Sequence, residues 1–186
     1  ETELESETET ETEIETESES ETETETESET ETETETETEE IIDEIKSLID
    51  RGIVEFNLIG QDLASYGSGA NDDVFGTGRF PLPEIDENGV NRGTEQKSAL
   101  SLLLEKISEL KGNFIVRLLY IHPDHFNRDI LPVIQKDRRL LHYFDIPFQS
   151  GDDSVIKAMN RKGTAAEYLR LAEDIRKALP DVVLRT

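Results

Sequence analysis

The sequence predicts an α/β fold in which short parallel strands alternate with helices, preceded by an acidic tail that forms no core. From residue 41 onward, segments with apolar residues at helical spacing alternate with short, mostly apolar runs of strand length. Parallel strands covered by helices are buried on both faces, so runs of this kind are what such a sheet requires. Residues 1–40, by contrast, are an almost pure alternation of Glu with Thr or Ser.

The tail carries most of the charge of the chain. Of the formal net charge of −25, residues 1–40 contribute −21, from 21 Glu and no Lys or Arg, and residues 41–186 contribute −4, from 23 acids and 19 bases. A strand would place every Glu of the repeat on one face, and a helix would set like charges four residues apart. With only Leu4 and Ile14 as large apolar groups, the repeat cannot offset the entropy cost of ordering. We therefore expect a disordered tail over 1–40 and one partial (β/α) domain over 41–186.

Two interpretations of the tail remain open. An acidic arm of this kind can bind basic partners, or offer Ser and Thr beside acids to a kinase. Alternatively, so monotonous a repeat is a solubilising or artificial segment that specifies no geometry of its own. Because the low pI describes the tail, it does not indicate the partners of residues 41–186, and there is no direct signal for nucleic-acid binding.

Composition excludes several classes of protein and site. The chain contains no cysteine, which excludes disulfides, thiolate catalysis and zinc or iron–sulfur sites held by its own thiolates. No apolar run has transmembrane length, and no basic start followed by an apolar core marks a signal peptide. The sequence therefore predicts a soluble cytoplasmic protein without a membrane partner.

The first helix of the domain is predicted over residues 41–51, where apolar residues recur at helical spacing up to the stop signal at Gly52. The apolar run 53–59 is predicted as a strand. Residues 60–96 follow without periodicity and with several Gly and Pro, which is typical of a long functional loop or an insertion.

After this connection the pattern of helix and strand continues to the end of the chain. The predicted elements are a helix over 99–110, a strand over 114–121, a helix over 126–136, a strand over 143–148, a short helix over 154–159, a helix over 164–179 and a strand over 182–185. Ser154 is the predicted cap of the short helix, and Thr164 with Glu167 forms a capping box for the longer one. Pro132 must lie in the early turns of its helix.

This order favours parallel strands joined by right-handed crossovers. Four strands do not close a barrel, so the prediction is an incomplete α/β layer. In such folds the chemistry lies at the carboxyl ends of the strands. The polar segments 60–67, 122–125 and 149–152 each follow a predicted strand, and we expect them to share one rim of the sheet.

Four segments carry a resemblance to a known family. They are Leu-Ile-Gly-Gln-Asp at 58–62 with Tyr-Gly at 66–67, Arg-Leu-Leu-Tyr-Ile-His-Pro-Asp at 117–124, Asp-Ile-Pro-Phe-Gln-Ser-Gly-Asp-Asp at 145–153, and Lys-Ala-Met-Asn-Arg at 157–161. In this order they resemble the radical S-adenosylmethionine (SAM) methylthiotransferases. The Arg-Leu-Leu-Tyr strand, the Met-Asn-Arg-Lys-Gly-Thr stretch and the closing Leu-Arg-Thr favour the branch that modifies an aspartate of a ribosomal small-subunit protein. The branch that modifies tRNA adenosine is the alternative.

The resemblance implies a partial radical SAM (β/α) barrel that holds S-adenosylmethionine against a 4Fe-4S cluster, with a ribosomal small-subunit protein as partner. Family members bind the cluster through three cysteines spaced C-x-x-x-C-x-x-C, just ahead of the helix that matches residues 41–51. The Glu-Thr repeat stands there in this chain, and its carboxylates and hydroxyls are hard ligands that cannot replace thiolates. We therefore expect a middle part of the family's core that is inactive as it stands. The alternative is a non-enzymatic or artificial α/β remnant whose acidic arm binds basic partners.

The resemblance, together with the positions of polar residues at strand ends, implies four cofactor contacts. Gln61, Gln149 and Ser150 are predicted to hydrogen bond to the methionyl or ribose groups of S-adenosylmethionine, and Arg161 to bind its carboxylate. Alternatively, the first three cap the helices that follow, and Arg161 is a surface charge. No catalytic residue is predicted, because no nucleophile, base and orienting group occur together in the sequence.

Two other features have structural explanations. His122 and His125 are three residues apart, but the proline between them breaks any helix that would align them, so no metal site is predicted. Asp145 lies in an apolar strand, where an unpaired carboxylate would be costly. We expect it to form a salt bridge with Arg117 or Arg185 on a neighbouring strand.

Overall fold

The computed structural model describes residues 34–67 and 97–186, and its centre is a parallel sheet of four strands. The strands are β1 (Glu55–Ile59), β2 (Ile115–Leu119), β3 (Leu140–Asp145) and β4 (Val183–Arg185). They lie side by side in chain order, and each pairs in parallel with the next. The predicted α/β fold of parallel strands is therefore confirmed.

Helices precede or connect the strands, because a chain can reach a parallel neighbouring strand only through a crossover connection. They are α1 (34–50), α2 (Ala99–Glu109), α3 (Ile130–Lys136), α4 (Asp153–Ala158) and α5 (Ala165–Ala178), with short 3-10 helices at Leu63–Ser65 and Pro123–His125. No helix within the described ranges is both long and apolar enough to cross a membrane.

Side-chain caps determine where two of these helices begin. Thr164 accepts a hydrogen bond from the backbone N–H of Glu167, whose side chain accepts from the backbone of Thr164, so the predicted capping box is confirmed. The prediction that Ser154 caps α4 was wrong. Asp152 is the cap, because its carboxylate accepts from the backbone N–H groups of Ser154 and Val155, and the Ser154 hydroxyl donates to the same oxygen.

The predicted bounds of one strand and one helix differ from the structure by three or four residues. Strand β3 covers Leu140–Asp145 rather than 143–148, because Pro147 has no N–H to donate to a neighbouring strand. Helix α3 begins at Ile130 rather than 126, since a 3-10 turn and a short extended segment come first, which leaves Pro132 in the first turn as expected.

Residues 34–40, which the sequence assigned to a disordered tail, are helical. Extending an existing helix costs far less than nucleating one, and the apolar segment that follows supplies the nucleus. Residues 1–33 and 68–96, which contain the rest of the tail and most of the long connection, lie outside the described residues.

One face of the sheet is covered by the helices and forms the core. Phe56 meets Phe114 edge to face with ring centroids 5.7 Å apart, and Phe126 meets Phe144 in the same way at 5.4 Å. Leu104 of α2, like Phe144, has no solvent exposure. Because these rings and aliphatic chains come from both helices and strands, their burial fixes the helices against the sheet.

The opposite face of the sheet carries charged side chains. Arg117 donates to Glu55 on the neighbouring strand at 3.2 Å and lies over the ring of Tyr143 at 4.9 Å. Asp145 pairs with Arg185 at 2.8 Å, which confirms the predicted salt bridge and selects Arg185 as its partner.

The Leu side chains of α2 provide a test of the core. Leu104→Ala is expected to lower the free energy of unfolding by about 2–5 kcal/mol, because it removes a fully buried side chain and leaves a cavity. Leu102→Ala is the matched control, since Leu102 lies on the same helix and is 46% exposed. Urea denaturation of both variants measures the difference. Equal losses would contradict the described packing of α2.

Candidate functional site

The carboxyl ends of the strands form a polar rim with unusual backbone geometry. Tyr120, directly after β2, has φ 63°, and Gln149, in the segment after β3, has φ 69°. Non-glycine residues in this left-handed region cost on the order of 1–3 kcal/mol and occur preferentially at functional sites. The segments after β2 and β3 are thus held in unusual conformations by their surroundings.

Asp62 joins the end of β1 to the segment after β2. Its Oδ1 accepts from the backbone N–H of His122 at 3.1 Å and of Ala64 at 3.2 Å. Its Oδ2 accepts from the Ser65 hydroxyl at 2.6 Å and hydrogen bonds to Nδ1 of His125. Burial acts to raise the pKa of Asp62, but the hydrogen bonds from His125, Ser65 and His122 outweigh it and hold that pKa below its usual value.

The Ser65, His125 and Asp62 side chains do not form a nucleophilic triad. Ser65 and His125 both hydrogen bond to the same carboxylate oxygen, whereas a triad requires the base to lie between the nucleophile and the carboxylate. The His122 and His125 rings stack at 4.8 Å. Within residues 34–67 and 97–186, no three His, Asp or Glu side chains are grouped so that they could hold a metal ion.

Asp124 joins the segment after β2 to the loop between α4 and α5. Its side chain is 7% exposed and accepts from the Tyr168 hydroxyl at 2.6 Å and from the backbone N–H groups of Lys162 at 2.9 Å and Gly163 at 3.2 Å. Burial acts to raise the pKa of Asp124, but the hydrogen bond from Tyr168 and the backbone donors lower it. Burial, followed by the hydrogen bond to Asp124, raises the pKa of Tyr168 to about 12.

A groove of about 610 Å³ opens between the segment after β3, helix α5 and Thr186. Phe148 and Tyr168 form part of its lining, with ring centroids 5.4 Å apart and planes inclined by 30°. Gln149 and Ser150 contribute polar groups to the same lining. A concave surface with aromatic walls and a few polar groups is typical of a small-molecule site.

Two of the four predicted site residues line the groove, and Gln61 and Arg161 do not. Gln149 and Ser150 line the groove, and the charge of Arg161 acts on Tyr168, another lining residue. Gln61 is exposed in the bend after β1 and is not part of the lining. Whether any of them binds a ligand stays a prediction.

Three residues that organise this rim were not singled out from the sequence: Asp62, Asp124 and Tyr168. The two aspartates lie in the polar segments 60–67 and 122–125, which were predicted to lie at the rim, and that position was the available signal. Tyr168 lies 44 residues from Asp124 in the chain, so no local pattern indicates its hydrogen bond.

Comparison with known proteins identifies the family. A model of the radical SAM superfamily matches residues 19–186. The chain belongs to this superfamily. The four-stranded parallel sheet agrees with a partial radical SAM (β/α) fold, as predicted.

Curated relatives of the chain include ribosomal protein uS12 methylthiotransferases. The chain is 50% identical over 139 residues to the ribosomal protein uS12 methylthiotransferase RimO of Treponema denticola, which covers 75% of the chain and 27% of the relative. The proteins of the same name from Thermosipho melanesiensis and Thermosipho africanus are 36% and 37% identical over 147 residues, or 79% of the chain and 29% of each relative. The chain thus spans less than a third of their length, and its resemblance to the methylthiotransferases is confirmed.

The radical SAM superfamily implies two groups, a 4Fe-4S cluster and S-adenosylmethionine. The residues of this chain do not fit the cluster, because the chain has no cysteine and carboxylates are poor ligands for it. They do fit S-adenosylmethionine. The groove offers aromatic, amide and hydroxyl groups, and Nη1 of Arg161 is a buried donor that has no hydrogen-bond partner among the described residues.

The lowered pKa of Asp62 predicts how stability depends on pH. The stabilisation by the charged carboxylate is complete above about pH 4, the unfolded pKa, and is lost as pH falls through the lower folded pKa. Asp62→Asn is therefore expected to lower the free energy of unfolding by about 1–3 kcal/mol at pH 6, with a smaller difference from wild type at pH 3. Urea denaturation of wild type and variant at both pH values measures this difference in the free energy of unfolding. The control is Asp43→Asn, whose carboxylate is 72% exposed on α1, and equal behaviour of the two variants would contradict the role of Asp62.

Proposed function

We propose that this chain supplies the cofactor-binding part of a methylthiotransferase core that acts on a ribosomal small-subunit protein. The observation that carries the proposal is the placement of Gln149 and Ser150, within the segment that resembles the family, in a groove at the carboxyl end of β3. The similarity to uS12 methylthiotransferases supports the ribosomal partner, and with it a cytoplasmic location. Modification of tRNA adenosine is the other branch of the same family.

In this proposal the adenosine portion of S-adenosylmethionine lies against Phe148 and Tyr168, whose apolar surfaces suit a planar base. The Gln149 amide and Ser150 hydroxyl hydrogen bond to the ribose or methionyl groups, and Arg161 binds the carboxylate. Gln61 remains a proposed contact, which would have to reach the ligand from the β1 end of the rim.

The radical chemistry of the superfamily requires a cluster that the residues of this chain do not fit. We therefore propose that the chain, as it stands, binds the cofactor without cleaving it. This separates two properties that occur together in the family, namely a pocket for S-adenosylmethionine and the ligands of the cluster.

A second candidate function rests on the charge of the tail. Its 21 Glu among 40 residues favour a non-enzymatic or artificial protein in which the acidic arm binds basic partners. Such binding would weaken steeply between about 0.1 and 0.5 M salt, because exposed charges are screened. Binding of the cofactor through hydrogen bonds and aromatic contacts would change much less over that range.

Cofactor binding tests the first candidate. The full chain is expected to bind S-adenosylhomocysteine, a stable analogue of the cofactor, with little dependence on salt. Gln149→Ala should weaken binding about fivefold, the effect of one lost hydrogen bond of about 1 kcal/mol. Isothermal titration calorimetry gives both affinities. Gln135→Ala on α3 is the matched control, since its amide donates to the Ala178 carbonyl away from the groove. A chain that binds only basic proteins, in a salt-sensitive way, would support the second candidate instead.

Anaerobic reconstitution with iron and sulfide tests the fit of the cluster. No stable thiolate-to-iron absorbance band is expected, and no 5′-deoxyadenosine should form from S-adenosylmethionine, since the chain has no thiolate ligand. The control is reconstitution of a cysteine-containing member of the family under the same conditions. A stable cluster with cofactor cleavage would show that an external thiol or the acidic segment supplies the missing ligands.

A further inference from the structure

Arg161 lacks a counter-ion in the described part of the chain. Its Nη1 is buried without a hydrogen-bond partner, and no carboxylate lies within ion-pair distance of its guanidinium among residues 34–67 and 97–186. The residue as a whole is half-buried. Leaving a charged donor enclosed and unpaired is costly, so a ligand with a negative charge would be favoured beside it.

The neighbours of Arg161 do not neutralise it. The positive charge of Arg161 acts on both His122 and Tyr168. Burial is the main cause of the lowered pKa of His122, and the charge of Arg161 lowers that pKa further. The nearby carboxylate of Asp124 is already occupied, because it accepts three hydrogen bonds from Tyr168, Lys162 and Gly163. Asp124 therefore does not neutralise Arg161, but its hydrogen bonds fix the loop that carries Arg161.

The backbone around Arg161 is fixed on both sides. Before it, Asn160 adopts φ 59°, and the N–H of Arg161 itself donates to the Ile156 carbonyl at 3.2 Å, which closes the end of α4. After it, Asp124 accepts from the next two backbone N–H groups, those of Lys162 and Gly163. The direction in which Arg161 leaves the main chain is thus determined by these hydrogen bonds.

Gly163 allows this close approach. A Cβ at Gly163 would overlap the Tyr168 ring and lie 2.7 Å from Oδ1 of Asp124, so any other residue would push the loop away from both side chains. Tyr168 in turn lines the groove and donates to Asp124. One aspartate and one tyrosine thus link the groove to the loop that carries the guanidinium.

We infer that Asp124 and Tyr168 are positioning residues that hold Arg161 to bind the aminoacyl carboxylate of the cofactor. This rests on the proposed function, and it extends that function from the groove residues to a network that does not itself touch the ligand carboxylate. A planar guanidinium recognises a carboxylate in only a few orientations, so a small rotation of the loop would lose the contact.

Measuring two ligands distinguishes a positioning role of Asp124 and Tyr168 from a general effect of their substitution on the stability of the groove. S-adenosylhomocysteine carries the aminoacyl carboxylate, and 5′-methylthioadenosine retains the adenosine and thioether but lacks it. The affinity ratio of the two ligands for the full-length chain reports the contacts of the aminoacyl portion, which contains the carboxylate and the ammonium group, and the change of this ratio in Arg161→Gln isolates the part that depends on the guanidinium. Arg161→Gln is expected to reduce this ratio about tenfold or more, as for a lost charge-assisted hydrogen bond. Asp124→Asn and Tyr168→Phe should each reduce it about three- to tenfold. Because Phe keeps the ring that is proposed to lie against the adenosine, both variants should lose more affinity for S-adenosylhomocysteine than for 5′-methylthioadenosine.

Asp153→Asn is the matched control. Its carboxylate accepts from the backbone N–H of Ala165 at 2.8 Å, so it supports the start of α5 without contacting residues 161–163. It should leave the affinity ratio unchanged. Circular dichroism melts confirm that each variant is folded, and if Asp124→Asn does not fold, Tyr168→Phe removes one hydroxyl and carries the test.

The outcomes distinguish the inference from the proposed function. An affinity ratio that falls in Arg161→Gln but not in Asp124→Asn or Tyr168→Phe overturns the positioning role and leaves the cofactor site intact. Equal weakening of both ligands in the Asp124 and Tyr168 variants overturns it as well, because it indicates a general effect on the groove. A wild-type chain that binds neither ligand overturns the proposed function, and the inference with it.

Discussion

Two carboxylates at the ends of parallel strands hold the rim of this domain together. A parallel sheet aligns its strands but leaves the segments beyond them without ladder hydrogen bonds, and those segments must find other partners. Asp62 satisfies backbone donors from two segments, and Asp124 satisfies donors from a loop that lies far along the chain. Tyr168 in the groove wall, the loop that carries Arg161 and the segment that follows Tyr120 are held by these contacts.

Each of these carboxylates contributes more to the stability of the domain than an exposed ion pair would. Each accepts three or more hydrogen bonds from fixed donors, which hold its pKa below the usual value although burial acts in the opposite direction. The salt bridge between Arg185 and Asp145 on the open face links neighbouring strands, and its arginine is 67% exposed. Solvent screens such pairs, so the rim is organised mainly by hydrogen bonds to carboxylates.

Much of the fold could be predicted from local pattern, and the reasons for the failures are physical. The order of helices and strands, the capping box at Thr164 and the pairing of Asp145 all follow from residue spacing and from the cost of an unpaired carboxylate. The start of β3 at Leu140 depended on which residues pair with β2, which no local pattern specifies. Asp152 rather than Ser154 caps α4, because a carboxylate can accept hydrogen bonds from several donors at once.

The candidate site was predictable in part. Its location at strand ends follows from the parallel topology, and family resemblance pointed to Gln149 and Ser150, which both line the groove. The link between Asp124 and Tyr168 was not predictable, because it joins residues from different crossovers through a single hydroxyl. The sheet agrees with the superfamily's fold, while the chain has no thiolate ligand for a cluster.

The left-handed backbone at Gln149 has a consequence for how this position can drift during evolution. With φ at 69°, the position strongly disfavours β-branched residues and is most easily filled by glycine or asparagine, whether or not a ligand is present. Two independent constraints therefore act on the residue at position 149, one from the backbone conformation and one from any bound molecule. A narrow range of residues here among homologues would reflect the shape of the turn as much as selection for binding. A substitution that is compatible with the left-handed backbone but removes the ligand contact would distinguish selection for the turn from selection for binding.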